Sequence, residues 1–98
     1  MTKFITDEIH NFVLRHLGAH LPGCSIYAFG SRIRGDAQTY SDLDLGIDFG
    51  AEIPLGKLVV LNSIFSESDI PYKIDIVDMQ SVDPEFKEHI IKTSRKWS

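Results

Sequence analysis

The sequence predicts an α/β (α+β) protein, a small β-sheet flanked by helices, as one domain spanning residues 1–98. Three observations carry this. Residues 4–21 set Ile5, Ile9, Phe12, Val13, Leu17 and Leu21 on one stripe at helical spacing. The run DLDLGIDF at 42–49 alternates strictly, with Asp42, Asp44, Gly46 and Asp48 on one side and Leu43, Leu45, Ile47 and Phe49 on the other, the period of a half-buried strand. Two more strand-like runs, SIYAF and YKIDIVDM, are separated from it by a polar loop and a helical segment.

Taken in order, Thr6 followed by Asp7 and Glu8 suits the start of the first helix, and Leu21-Pro22-Gly23 ends it. SIYAF (25–29) is rich in β-branched and aromatic residues and reads as a strand. Residues 30–40 read as a loop or a short turn of helix. After the 42–49 strand, PLGKLVVLNSIF (54–65) reads as a helix with Leu55, Leu58, Leu61 and Phe65 on one face and Pro54 in its first turn. YKIDIVDM (72–79) is a third strand, with Ile74, Ile76 and Asp78 opposite Lys73, Asp75 and Val77. Asp83-Pro84 opens a last helix carrying Phe86, Ile90 and Trp97 on one side. Strands two and three, joined by a helix, read as a parallel crossover. The first two strands are compatible with either direction.

Composition narrows the function classes. A hydrophobic content of 43% is ordinary for a globular chain, and 98 residues sit at the small end of what folds alone. No apolar run is long enough to span a bilayer, and the charged N-terminus is no signal peptide, so a cytoplasmic protein without a membrane partner is expected. The single Cys24 excludes an internal disulfide and reads as a small buried residue. A net charge of −4 argues against nucleic acid as a direct partner. His16 and His20, four apart on a helix, read as solvent-facing, because no third zinc ligand follows at a suitable offset.

The chemistry is concentrated in FGSRIRGDAQTYSDLDL (29–45). Asp42 and Asp44 leave the same face of a strand, with Cα atoms roughly 6–7 Å apart. Carboxylates that close repel each other and lose hydration when partly buried, which a bound cation relieves. Oxygen donors without cysteine or paired histidine favour Mg²⁺ or Mn²⁺. Asp75, in the middle of an apolar strand, completes a triad if its strand lies beside 42–49. Three such carboxylates can hold two ions about 3.5–4 Å apart, the spacing of two-metal phosphoryl transfer.

Gly30-Ser31, just after the SIYAF strand, supplies a turn whose N–H groups and hydroxyl can hold phosphate oxygens, with Arg32 and Arg34 adding charge. It is not a Walker A loop, since no Gly-Lys-Ser/Thr follows. Singly, each part reads more simply: a turn, a solvated strand face, surface arginines. Asp48 and Asp78 read as solvent-facing or as strand ends. Jointly, a Gly-Ser turn, a ten-residue gap, Asp-x-Asp and a later strand aspartate form one pattern.

That pattern resembles the G-S-x-D-x-D signature of the nucleotidyltransferase superfamily that includes DNA polymerase β. The string GSRIRGDAQTYSDLDLGID, with YKIDIVD and PEFKEHIIKTSRKW, is similar to the minimal members, the MNT domains, over nearly the whole chain. The resemblance implies a mixed sheet and Mg²⁺-dependent transfer of a nucleoside monophosphate from an NTP, with ATP as the expected donor. It implies that Gly30, Ser31 and Arg32 bind the triphosphate. Asp42, Asp44 and Asp75 would hold metal, with Asp75 beside the attacking hydroxyl. It also implies a HEPN-type helical partner, in a toxin–antitoxin pair where the MNT protein adenylylates a tyrosine of the toxin.

Two other readings stand beside this one. The first is a catalytically idle nucleotide-binding subunit that neutralises its partner by contact. The second is transfer to a small molecule such as an aminoglycoside. Phe65, Ile70 and Trp97 are candidates either for the core or for an apolar patch supporting a homo- or hetero-oligomer.

Overall fold

The computed structural model describes residues 5–38 and 41–98. The ends of two predicted segments, residues 1–4 and 39–40, lie outside the described residues.

Thr6 caps the first helix, its hydroxyl accepting the Ile9 amide at 3.2 Å. Helix α1 (Asp7–His20) buries Val13 and Leu17 and stops at Leu21. Strand β1 (Ser25–Phe29) leads into a one-turn helix α2 (Ser31–Arg34). Strand β2 (Leu43–Asp48) follows, then helix α3 (Leu55–Ser66), with Pro54 at its N-cap. Strand β3 (Ile74–Asp78) precedes helix α4 (Pro84–Thr93), where the Asp83 carboxylate accepts the Glu85 amide at 2.8 Å.

The sheet has the order β3-β2-β1-β4. β1 and β2 are antiparallel, and β2 and β3 are parallel through the α3 crossover, so the sheet is mixed. Its outermost member on the β1 side, β4 (Arg95–Lys96), was not expected from the sequence. The chain leaves α4 at Ser94 in an extended conformation and runs along the free edge of β1. The Trp97 amide donates to the Ile26 carbonyl at 2.8 Å. Trp97 therefore does not share the α4 face with Phe86 and Ile90; it packs edge-on against His10, with ring centroids 4.6 Å apart.

The alternation of β2 separates two layers. Leu43, Leu45 and Ile47 are fully buried with Val13 and Leu17 of α1 and Leu61 and Phe65 of α3. On the other face Gly46 lies under α4: a Cβ there would meet the Ile90 side chain at 3.0 Å and the Met79 sulfur at 3.1 Å. The missing side chain lets α4 settle on that half of the face, and the Asp44 end stays uncovered.

Phe65 joins the core, and Ile70 and Trp97 pack against it. Exposed apolar surface lies elsewhere, on Leu55, Val59 and Val60 of α3 and Phe86 and Ile91 of α4. Leu55 is 75% exposed because it sits about 120° around the helix from Leu61, away from the sheet. Cys24 is buried, as expected. His16 is half-buried against the Phe12 ring at 4.5 Å rather than solvent-facing, and burial, then the charges of Arg15 and His20, hold its pKa below the usual value. No helix among the described residues is long and apolar enough to cross a membrane.

Candidate active site

Parallel pairing of β2 with β3 sets Asp44 directly opposite Asp75, and antiparallel pairing of β1 with β2 sets Phe29 opposite Asp44. Gly30 follows Phe29, so the turn and two of the three expected carboxylates meet by strand register alone. Asp42 lies one residue before β2 and is exposed.

Gly30 adopts φ 85° and ψ −166°, a region essentially confined to glycine. Its α-carbon is pressed against Asp44: a Cβ would collide with the carboxylate and approach its Cγ to 3.2 Å. The residue type at position 30 thus meets two demands, backbone conformation and space for the aspartate.

Among the described residues neither the Asp44 nor the Asp75 carboxylate accepts a hydrogen bond. Asp48 and Asp78 differ. Asp48 accepts the Gly50 amide at 3.0 Å and the Gln80 side chain at 2.9 Å, and the Gly50 bond contributes most to depressing its pKa. Asp78 accepts the amides of Ile53 at 2.9 Å and Gln80 at 3.0 Å. These two close strand-end turns, as expected. The Asp44 carboxyl is pushed up by burial first, then by the charges of Asp75 and Asp42, while Arg34 opposes the rise.

No three acidic, histidine or cysteine side chains among the described residues are closed round one point. The donor set nevertheless fits a hard divalent cation: oxygen-only carboxylates, half-exposed or exposed, electrostatically coupled, and lacking protein donors. A cation would relieve the repulsion that raises Asp44.

The two arginines separate. In a one-turn helix, residues two apart point about 200° away from each other. Arg32 turns inward and is fully buried. Its Nε donates to the Ser41 carbonyl at 2.7 Å and its guanidinium lies 3.6 Å from the centroid of the Tyr72 ring. In this structure the Arg32 side chain ties the loop before Asp42 to the segment that leads into β3. Arg34 is exposed, pairs loosely with Asp36 at 3.4 Å, and is the cation whose field reaches Asp44. The signal in the sequence was the spacing itself, since only one of the two arginines could face the turn.

Truncating a buried, stacked guanidinium leaves the Ser41 carbonyl short of its donor and a gap against Tyr72. Arg32→Ala is expected to cost about 2–4 kcal/mol in denaturant unfolding. Arg32→Lys should recover little, because the planar stack is lost. Wild-type stability in either variant would contradict the tie.

A mixed sheet with a Gly-Ser turn against carboxylates of two adjacent strands defines the class as a nucleotidyltransferase fold. The chain belongs to the family described as Polymerase beta, Nucleotidyltransferase, whose model matches residues 24–96. It is 43% identical over 74 residues to "Probable protein adenylyltransferase MntA" of Haemophilus influenzae (strain ATCC 51907 / DSM 11121 / KW20 / Rd), a match covering 74% of this chain and 63% of that protein. This chain thus spans less than two thirds of that relative. Its fold is similar to a solved toxin–antitoxin structure with AMP-PNP (TM-score 0.79, 20% identity, 91% of this chain and 72% of that one). It is also similar to a structure described as a minimal nucleotidyltransferase (TM-score 0.71, 26% identity, 88% and 86%).

Proposed function

We propose that this chain is a Mg²⁺-dependent nucleotidyltransferase that moves AMP from ATP onto a hydroxyl of a partner protein, as the antitoxin of a HEPN-type toxin. The observation that carries the reading is the Asp44–Asp75 register pair set against the Gly30 turn. The relative named as a protein adenylyltransferase and the toxin–antitoxin fold match with AMP-PNP support the nucleotide and the partner.

In this reading the backbone N–H groups of the Gly30-Ser31 turn and the Ser31 hydroxyl receive the triphosphate, with Arg34 supplying positive charge. Asp42, Asp44 and Asp75 would hold two Mg²⁺ (or Mn²⁺), which when bound neutralise phosphate charge and align the reacting groups. The acceptor oxygen attacks the α-phosphorus and a new P–O bond forms. The α–β anhydride bond breaks, pyrophosphate leaves, and the hydroxyl proton passes to the Asp75 carboxylate. An ATP-consuming reaction of this kind belongs in the cytoplasm.

The test is transfer from α-labelled ATP with Mg²⁺ to the product of the adjacent gene. Label on that protein, with an added mass of one AMP and none from γ-labelled ATP, is the expected result. No label with any of the four NTPs would sink the reading. Arg34→Ala should raise the KM for ATP about tenfold, the scale of one charge-assisted phosphate contact; an unchanged KM would remove Arg34 from the phosphate site.

A second reading, neutralisation by contact alone, is favoured by the exposed apolar face of α3. It expects Asp42→Ala/Asp44→Ala to keep both partner binding and neutralisation.

A further inference from the structure

β3 is the outermost strand of the sheet. In a parallel pair, alternate residues turn their backbone groups toward the neighbouring strand. The Lys73 carbonyl accepts the Leu43 amide at 2.9 Å and the Met79 amide donates to the Ile47 carbonyl at 3.0 Å, so odd-numbered residues face β2. Ile74 and Ile76 therefore direct their N–H and C=O groups outward, and no strand among the described residues lies beyond them. Further along, the Asp78 carboxylate engages the Ile53 amide and closes that end of the edge. The open stretch is centred on Asp75.

Alongside it runs a groove of about 830 Å³ between β3 and α3, lined in part by Val59, Ser63, Ile70, Ile74, Asp75 and Ile76. α3 is apolar nearly all round, a pattern normally found on helices covered on both sides, yet Val59 is 57% exposed. Unpaired main-chain groups call for another main chain, and the apolar wall calls for apolar side chains on alternate residues. Together these are the elements of strand addition.

We propose that the open edge of β3 docks an extended segment of the acceptor protein, with its hydroxyl-bearing residue in register opposite Asp75. The inference rests on the transfer reading above. Phe29, Asp44 and Asp75 are consecutive members of one row across β1, β2 and β3. A residue paired opposite Asp75 becomes the next member, about 4.8 Å further along, with its side chain on the same face. The acceptor hydroxyl and the Gly30 turn then lie on opposite sides of Asp44, the order an in-line displacement requires. Charge selects the occupant: a hydroxyl can donate to Asp75, whereas a second copy of this edge would add carboxylates to a row that already repels itself.

The test uses the full ¹⁵N-labelled chain and a nine-residue peptide with a central tyrosine, valines at odd offsets from it and lysines at even offsets. Two comparisons accompany it: the same peptide with N-methyl groups on the tyrosine and on the two residues flanking it, which blocks the ladder whichever way the peptide runs, and the Val59→Lys variant, whose exposed site leaves the fold intact. The peptide should slow hydrogen exchange at the Ile74 and Ile76 amides, and both changes should weaken binding about tenfold or more. Unchanged exchange at those amides in millimolar peptide, or equal binding of the N-methylated peptide, would overturn the proposal. Binding needs no ATP, so the two readings fail separately. Protected amides, with no label on the partner protein in the transfer assay above, would keep the docking edge and sink the transfer reading. Label on an acceptor that leaves the edge amides unprotected would do the reverse.

Discussion

Asp44→Asn is expected to reduce nucleotidyl transfer by about 10³-fold or more while raising, not lowering, the melting temperature of the metal-free protein. The loss of rate follows from removing a charged oxygen donor from the centre of the carboxylate row, where ion-mediated charge stabilisation is worth several kcal/mol and each 1.36 kcal/mol is a factor of ten. The gain in stability follows from the same geometry. Burial and the charges of Asp75 and Asp42 hold the Asp44 pKa above its usual 3.8. A carboxyl raised in the folded state stabilises the fold fully below its unfolded pKa and loses that contribution as pH rises through the folded value. In a chelating buffer the parent should therefore lose stability as pH climbs from about 3.8 through the raised pKa. The asparagine variant should lack that decline. Melting curves across pH, with label-transfer rates on the same samples, check both halves. Normal transfer in the variant would remove Asp44 from the chemistry. A lower melting temperature would show that the carboxylate is held by favourable contacts.

Gly30→Ala should be the most damaging change outside the carboxylates. The backbone conformation alone costs about 1–3 kcal/mol for a residue with a side chain. The added methyl also falls on the Asp44 carboxylate, so the aspartate or the turn must move. A displacement of 1 Å at a reacting centre is enough to lose about 10²-fold in rate. Gly35→Ala is the control: it also has a positive φ, 91°, but nothing lies within 4 Å of its added Cβ. It should lose stability of about 1 kcal/mol and keep its transfer rate. If both variants lose the same stability and the same rate, the close approach of Gly30 to Asp44 has no functional weight.

Much of this protein was legible in one dimension because its signals are local. The period-two run at β2 separated the buried leucines from the aspartates, and β1 was bounded by its composition. Thr6 and Asp83 marked helix starts through the capping chemistry of their own side chains. The short distance from Gly30 to Asp44 in sequence, spanning one loop between two strands, made the pairing of turn and carboxylate readable as a motif.

What stayed hidden depended on partners distant in the chain. β4 is two charged residues with no pattern of their own, and it is a strand only because β1 offers a free edge. Arg32 and Arg34 look alike in sequence; the Tyr72 ring, forty residues downstream, decides which one is buried. The core face of α3 was read only in part, with Leu61 and Phe65 buried as expected but Leu55 exposed, because apolar residues are spread round the helix and the sheet beneath it selects the side. The register that sets Asp75 opposite Asp44 was likewise decided by the sheet, since strand pairing is a contact between segments and alternation within one strand does not name its neighbour. Sequence by itself determined which residues carry charge, turn and apolar face. Tertiary structure decided which of them meet.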